Sequence, residues 1–223
     1  MRVLLFGATG AAGGSVLNVC LAAPAVDEIR AIVRRPLAKS HTKLQQIQHS
    51  DFADYSSLRG TFDGVDTCLY CLGTSATQVP EEPAYRRVTR DFALAAARAL
   101  KEESPQAPFH FISGSGAGLN SRFMWARVKA QTERDLIAEV GAVCWRPAFI
   151  DGETSSSSPA LYRWIRPLGR LFAAFPSLYV SGTDIGLAML QATTEGRRSS
   201  IIENAELRAI ARRAGPLITG PRA

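Results

Sequence analysis

The chain opens on a short apolar run, Val3-Leu4-Leu5-Phe6, that breaks into Gly7-Ala8-Thr9-Gly10-Ala11-Ala12-Gly13. No other feature narrows the fold as much. A strand that ends in a glycine-rich turn and passes directly into a helix is the setting in which such a turn binds a dinucleotide. Gly7 permits the tight turn. Gly10 lets the backbone approach a pyrophosphate without a Cβ in the way. Gly13 lets helix and strand pack closely. The unpaired N–H groups at the helix start, with the helix dipole, then hold the phosphates. Ala8, Thr9, Ala11 and Ala12 therefore join the three glycines as cofactor-contact candidates. A plain structural turn is the competing reading, and the position between first strand and first helix favours the cofactor.

The rest of the chain alternates. Strands are predicted at 2–6, 28–33, 45–49, 65–72, 108–113, 142–146 and 200–203. Helices are predicted at 11–22, 82–101, 121–140 (closing at Gly141) and 184–194, the last capped by Asp184. Several strands are apolar on both faces, which calls for a parallel sheet covered on both sides. The expected fold is α/β, a doubly wound parallel sheet of the Rossmann type. Residues 1–223 form one domain, with a small C-terminal substrate cap over about 150–183. That cap includes the polar loop TSSSSP at 154–159 and a helical stretch at 160–175. There, Trp164, Phe172 and Phe175 could line an apolar pocket or simply pack as core. The tail from 214 reads as frayed.

Three further places suit a dinucleotide. Strand two ends at Val33-Arg34-Arg35-Pro36, 21 residues after Gly13. An NAD site usually places an acidic residue there to bind the ribose hydroxyls. Two guanidiniums suit a 2′-phosphate instead, by charge and by bidentate geometry, so NADP(H) is favoured over NAD. Asp51-Phe52 follows strand three; the carboxylate could accept from the adenine amino group while Phe52 flanks the ring. Leu72-Gly73-Thr74 follows strand four, where the backbone can pass close to a ribose.

Composition removes other classes. The net charge is +6, with 26 basic residues of which only four are lysine, but no run of five like charges occurs. The excess reads as surface, and no nucleic-acid partner is expected. No stretch approaches the ~18 apolar residues of a membrane span, so no membrane partner is expected. The N-terminus lacks the apolar core and cleavage site of a signal peptide, and a cytoplasmic location is the default. Cys20, Cys68, Cys71 and Cys144 read as buried free thiols, because residues three apart on a strand face opposite ways. His41, His49 and His110 have no ligand spacing, so no metal is expected.

The quoted segments together resemble an atypical short-chain dehydrogenase/reductase. The likeness rests on GATGAAG, with its GxxGxxG spacing, VRRP, DF, CLGTS, ISGSGA, YRRVTRDFALAAARAL and WRPAFIDG, and runs from Met1 to about Ile210. Within that superfamily the chain looks most like the NAD(P)H-binding NmrA-like proteins and the Tat-interacting-protein-like oxidoreductases. The resemblance implies a bound NADP(H). It implies catalytic roles for Ser113 (or Ser115) after strand five and for Lys129 on the next helix, both near the cofactor. It also implies that Pro147-Ala148-Phe149-Ile150 borders the nicotinamide. One departure matters. Where these reductases carry a tyrosine one turn before the lysine, this chain has Trp125. A phenol lowered in pKa by a neighbouring ammonium can protonate a carbonyl oxygen, whereas an indole N–H is no useful acid near neutrality.

Two functions follow as expectations. One is an NADP(H)-dependent reductase acting on a small apolar or aromatic acceptor: either a conjugated or flavin-like one that could stack on Trp125 and take its proton from solvent, Ser113 or Lys129, or one served by a cap acid such as Tyr162 or Tyr179. The other is a catalytically weak NADPH-binding regulatory or scaffold protein, with a protein partner in place of a substrate.

Overall fold

The computed structural model describes residues 1–151 and 179–218. Its strands are β1 (Arg2–Phe6), β2 (Glu28–Val33), β3 (Leu44–Gln48), β4 (Thr67–Tyr70), β5 (Phe109–Ile112), β6 (Val143–Arg146), β7 (Phe149–Asp151), β8 (Tyr179–Ser181) and β9 (Ser200–Glu203). Its helices are α1 (Ala11–Ala22), α2 (Glu82–Arg86), α3 (Phe92–Glu103), α4 (Met124–Val140), α5 (Gly182–Thr194) and α6 (Asn204–Ile218).

Seven strands form one parallel sheet in the order β3-β2-β1-β4-β5-β6-β9. From β1 the chain first winds outward through β2 and β3, then returns and winds the other way from β4. The order reverses between β1 and β4, and in open α/β sheets ligands bind at the carboxyl ends of the strands flanking such a reversal. The expected Rossmann architecture is present.

β1 shows why both faces are covered. Val3 and Leu5 point into one buried cluster with Val16, Val19 and Cys20 of α1, Ile185 and Met189 of α5, and Leu207 and Ile210 of α6. Leu4 and Phe6 point into the other, with Phe62, Leu94 and Leu100 of α3, and Leu136 of α4. Alternation along one strand thus feeds two separate cores.

Two polar groupings cross this apolar interior. His110, on β5, is fully buried. Trp145 Nε1 donates to its Nδ1 at 3.1 Å, so the ring proton sits on Nε2, which donates to Thr193 Oγ1 at 3.0 Å. Burial pushes the imidazole down to about 3, with Arg198 adding to the effect. Glu133 of α4, also buried, is held by Arg146 through two bonds of 2.9 and 2.7 Å, and Arg146 also reaches Glu203 at 2.8 Å. Other arginines form ion pairs nearer the surface. Arg90, just before α3, pairs with Asp135 of α4, and Arg98 of α3 pairs with Glu139 of α4.

Several boundaries differ from the sequence reading. The helix expected at 82–101 is divided by a π-helical turn at Arg87–Asp91, a wide turn that apolar periodicity does not mark. The 121–140 helix starts at Met124 and does end at Gly141, in the left-handed conformation at φ 64°. Asp184 is not the cap of α5: Ser181 is, its hydroxyl accepting from Asp184 N at 3.0 Å. The tail is not frayed from 214, because α6 runs on to Ile218. Cys71 is half-buried, lying past the end of β4; the other three thiols are buried and all four are free. A two-stranded parallel sheet, β7 with β8, was not foreseen. The expected loop at 154–159 and helix at 160–175 lie outside the described residues.

Candidate functional site

The glycine turn lies at the carboxyl end of β1. Gly7 has φ +76°, and a Cβ there would come within 2.5 Å of the Cys71 backbone, so conformation and space both require glycine. A Cβ at Gly13 would fall 2.1 Å from Gly7 O. Gly10 differs: its nearest neighbour would be Gly7 O at 3.4 Å, and the position is exposed. The turn is closed by Gly10 N donating to Gly7 O at 2.9 Å. Thr9 shares the exposed lip, Ala8 is buried behind it, and Ala11 and Ala12 are half-buried in the first turn of α1. That turn has no side-chain cap and no acidic residue. Its first amides therefore face outward with the positive end of the helix unopposed.

Around this turn the other predicted residues fall as follows. Arg34 and Arg35 are exposed immediately past β2. Asp51 is exposed, and its Oδ1 accepts from Ala53 N at 3.1 Å. Phe52 is buried, its ring 5.9 Å from that of His49 and 6.0 Å from that of Phe92, so it belongs to the core wall below Asp51. Leu72 is half-buried and Gly73 is exposed; a Cβ at Gly73 would meet nothing within 4 Å. Thr74 hydroxyl donates to Gln78 Oε1 at 3.4 Å.

Ser113 and Lys129 come together past β5. Ser113 is only 3% exposed, and its hydroxyl has no hydrogen-bond partner among the described residues. Leaving such a group buried and unmet is costly, which makes it a place for a ligand atom. Lys129 Nζ donates to the carbonyl of Ser113. Burial lowers the ammonium to about 8, against the opposing pull of Glu133 one turn on. Ser115, the other candidate, is exposed, and its amide donates to Pro147 O at 2.9 Å.

Trp125 is half-buried one turn before Lys129. Its ring stacks on Phe123 with centroids 6.4 Å apart and planes at 22°. A Cβ on Gly116 would touch the indole at 3.7 Å, and one on Gly114 would touch Lys129 Nζ at 3.5 Å. The loop after β5 thus runs directly across both side chains.

On the far wall, Pro147 is buried, and Ala148, Phe149 and Ile150 are half-buried. Ala148 N donates to Asn204 Oδ1 at 2.9 Å, and Asn204 Nδ2 donates to Tyr179 O at 3.0 Å. Asn204 was not foreseen; it lies 56 residues from Ala148 and carries no motif. Tyr179 hydroxyl donates to Asp151 at 3.0 Å. Tyr162, Trp164, Phe172 and Phe175 lie outside the described residues. No group of three or more His, Cys, Asp or Glu side chains among the described residues could hold a metal.

The residues present fit a dinucleotide. There is a glycine cradle open at Gly10, a helix start with no side-chain cap among the described residues, and a buried hydroxyl, also without a partner among them, beside an amine.

Comparison with known proteins adds three findings. No family model matches the chain. It is 30% identical over 167 residues to the mitochondrial protein fmp52 of Emericella nidulans, covering 71% of each. It is 26% identical over 217 residues to mitochondrial FMP52 of Eremothecium gossypii, covering 93% of this chain and 96% of that one. Among solved structures, a short-chain dehydrogenase/reductase from Burkholderia thailandensis superposes with TM-score 0.71 at 17% identity, covering 93% of this chain and 92% of that one. The dTDP-glucose 4,6-dehydratase DesIV of Streptomyces venezuelae, solved with NAD bound, superposes with TM-score 0.69 at 15% identity, covering 95% and 80%. The fold is that of the NAD(P)-binding short-chain dehydrogenase/reductase enzymes. The cytoplasmic expectation is overturned, since the relatives are named mitochondrial.

Proposed function

The chain belongs to the FMP52 family, and we propose that it binds NADP(H) and acts as an atypical short-chain reductase on a small apolar or aromatic acceptor. Within the superfamily we place it beside the NmrA-like and Tat-interacting-protein-like oxidoreductases, on the motifs GATGAAG, VRRP and ISGSGA. One observation carries the reading: the buried Ser113 hydroxyl, without a partner among the described residues, beside the Lys129 amine.

When bound, the reduced nicotinamide supplies a hydride. The chain's own residues do the rest. The first amides of α1 hold the pyrophosphate. Arg34 and Arg35 grip the 2′-phosphate, and Asp51 accepts from the adenine amino group. Gly73 lets the backbone approach a ribose, Lys129 binds the nicotinamide ribose, and the stretch 147–149 borders the nicotinamide. Ser113 donates to the acceptor oxygen.

Trp125, standing where a phenol would act as acid, favours a second reading, an NADPH-binding regulatory or scaffold protein of weak catalytic power. A thermal-shift titration tests the cofactor. A ligand at 100 times its Kd stabilises the native state by about 2.7 kcal/mol. NADPH is expected to raise Tm well above any shift given by NADH, and serine at 34 and 35 to remove that difference. Equal shifts would remove the role of the two arginines, and no shift with either nucleotide would remove the cofactor. Trp125→Tyr separates the two functions. Gain of carbonyl reduction supports the reductase, and NADPH binding without gain supports the regulator.

A further inference from the structure

We propose that the acceptor is a quinone, a planar conjugated dicarbonyl, stacked against Trp125 at the mouth of the Ser113–Lys129 site. The proposal rests on the cofactor-binding reading above and deepens it.

Three observations lead there. First, an aromatic platform borders the reacting groups. The Trp125 and Phe123 rings are stacked at 22°, Phe123 is 51% exposed, and the guanidinium of Arg122 lies 4.9 Å from its centroid. Leu119 adds a second exposed apolar side chain on the same loop. Second, this platform is continuous with the polar site. The loop Ser113–Gly116 has Lys129 Nζ against Gly114 and the indole against Gly116. A flat ring leaning on Trp125 therefore has Lys129 one helical turn away, its ammonium on the Ser113 carbonyl.

The third observation is the residue at the acid's place: Trp125 stands one turn before Lys129. Among the described residues, Tyr55, Tyr70 and Tyr85 are buried in the core, and Tyr179 donates to Asp151. Hydride addition to an isolated ketone produces an alkoxide, far too basic to persist, so a proton must arrive with the hydride. A quinone is different. Reduction makes its ring aromatic, and the oxygen becomes a phenolate, whose ordinary pKa is about 10. Such an anion survives beside an ammonium until water protonates it. In balance, the quinone and the reduced nicotinamide, with one proton from solvent, become hydroquinone and oxidised nicotinamide. A single hydride, which carries both electrons, passes to the quinone. Trp125 in place of tyrosine is then matched to the substrate: it gives up the acid and provides the stacking face. Stacking on an aromatic side chain tolerates any flat ring, because it uses the π face and not a hydrogen-bond pattern.

The test is calorimetric binding of menadione (2-methyl-1,4-naphthoquinone) to the full chain without nucleotide, so the readout does not depend on turnover. Wild type is expected to bind. Trp125→Phe should stay within about threefold, and Trp125→Ala should weaken binding about tenfold or more. Should the alanine variant melt early, Trp125→Leu keeps the apolar bulk without the π face and must show the same loss. Cyclohexane-1,4-dione, with two carbonyls and no conjugation, should bind at least tenfold more weakly. Undiminished menadione binding in the alanine or leucine variant overturns the proposal, as does equal binding of the saturated dione or no menadione binding at all. The cofactor reading fails separately, when neither nucleotide shifts Tm; menadione binding that depends on Trp125 would stand alongside that result.

Discussion

His110 gives a pH dependence whose size can be worked out in advance. The imidazole is fully buried, accepts from Trp145 Nε1 and donates to Thr193. Its pKa falls from 6.5 to about 3 through burial. A base that is harder to protonate in the folded state contributes stability that is complete above pH 6.5. That contribution drains away as pH falls toward about 3. Between pH 7 and pH 5 the unfolded chain takes up this proton and the folded chain does not. The gap over that interval is about 1.5 pH units, or roughly 2 kcal/mol at 1.36 kcal/mol per unit. The control is His110→Gln, whose amide can accept from Trp145 and donate to Thr193 but does not titrate. Urea unfolding at both pH values should show wild type losing about 2 kcal/mol more than the variant. Carboxylates and the other two histidines contribute equally to both proteins and cancel. An identical pH response in the two would refute the argument, since His110 would then be protonated as easily folded as unfolded.

Gly13→Ala puts a Cβ 2.1 Å from Gly7 O, so the turn must open. We expect about 1–3 kcal/mol lost in chemical denaturation, together with the NADPH-induced rise in Tm. Arg146→Met leaves Glu133 buried without its bidentate partner and should cost about 3–5 kcal/mol. Adding Glu133→Leu should recover most of that loss. A double variant no more stable than the single would show that packing around Arg146, not the stranded carboxylate, dominates.

The parts of this molecule that were legible in the sequence are those fixed by local rules. The glycine turn, the alternation of apolar strands with helices, and the closing Gly141 all follow from backbone freedom and burial along a short stretch of chain. That Arg34 and Arg35 sit just past the second strand was readable because that strand is short, mostly apolar and ends at Val33. The illegible parts depend on contacts between distant segments. Asn204 holds the exit of β6 and the start of β8 from far along the chain, and no spacing announces it. Phe52 follows a strand as an adenine-flanking residue would, yet its ring is drawn into the core by His49 and Phe92. The π turn at Arg87–Asp91 keeps the same residue types as an ordinary helix and changes only the winding.

The glycine turn also limits how this protein can diverge. At Gly7 and Gly13 the atoms that would cradle a phosphate are the atoms that join β1 to α1, and each position is closed to any side chain by backbone within 2.5 Å. Selection for tighter or looser cofactor binding therefore has no route through those two residues that spares the fold. Arg34 and Arg35 lie exposed at the end of β2 and are under no such restriction. Preference between the two nicotinamide dinucleotides should thus drift at that pair while the turn stays frozen, and two descendants of this chain could differ in cofactor with their sheets unchanged.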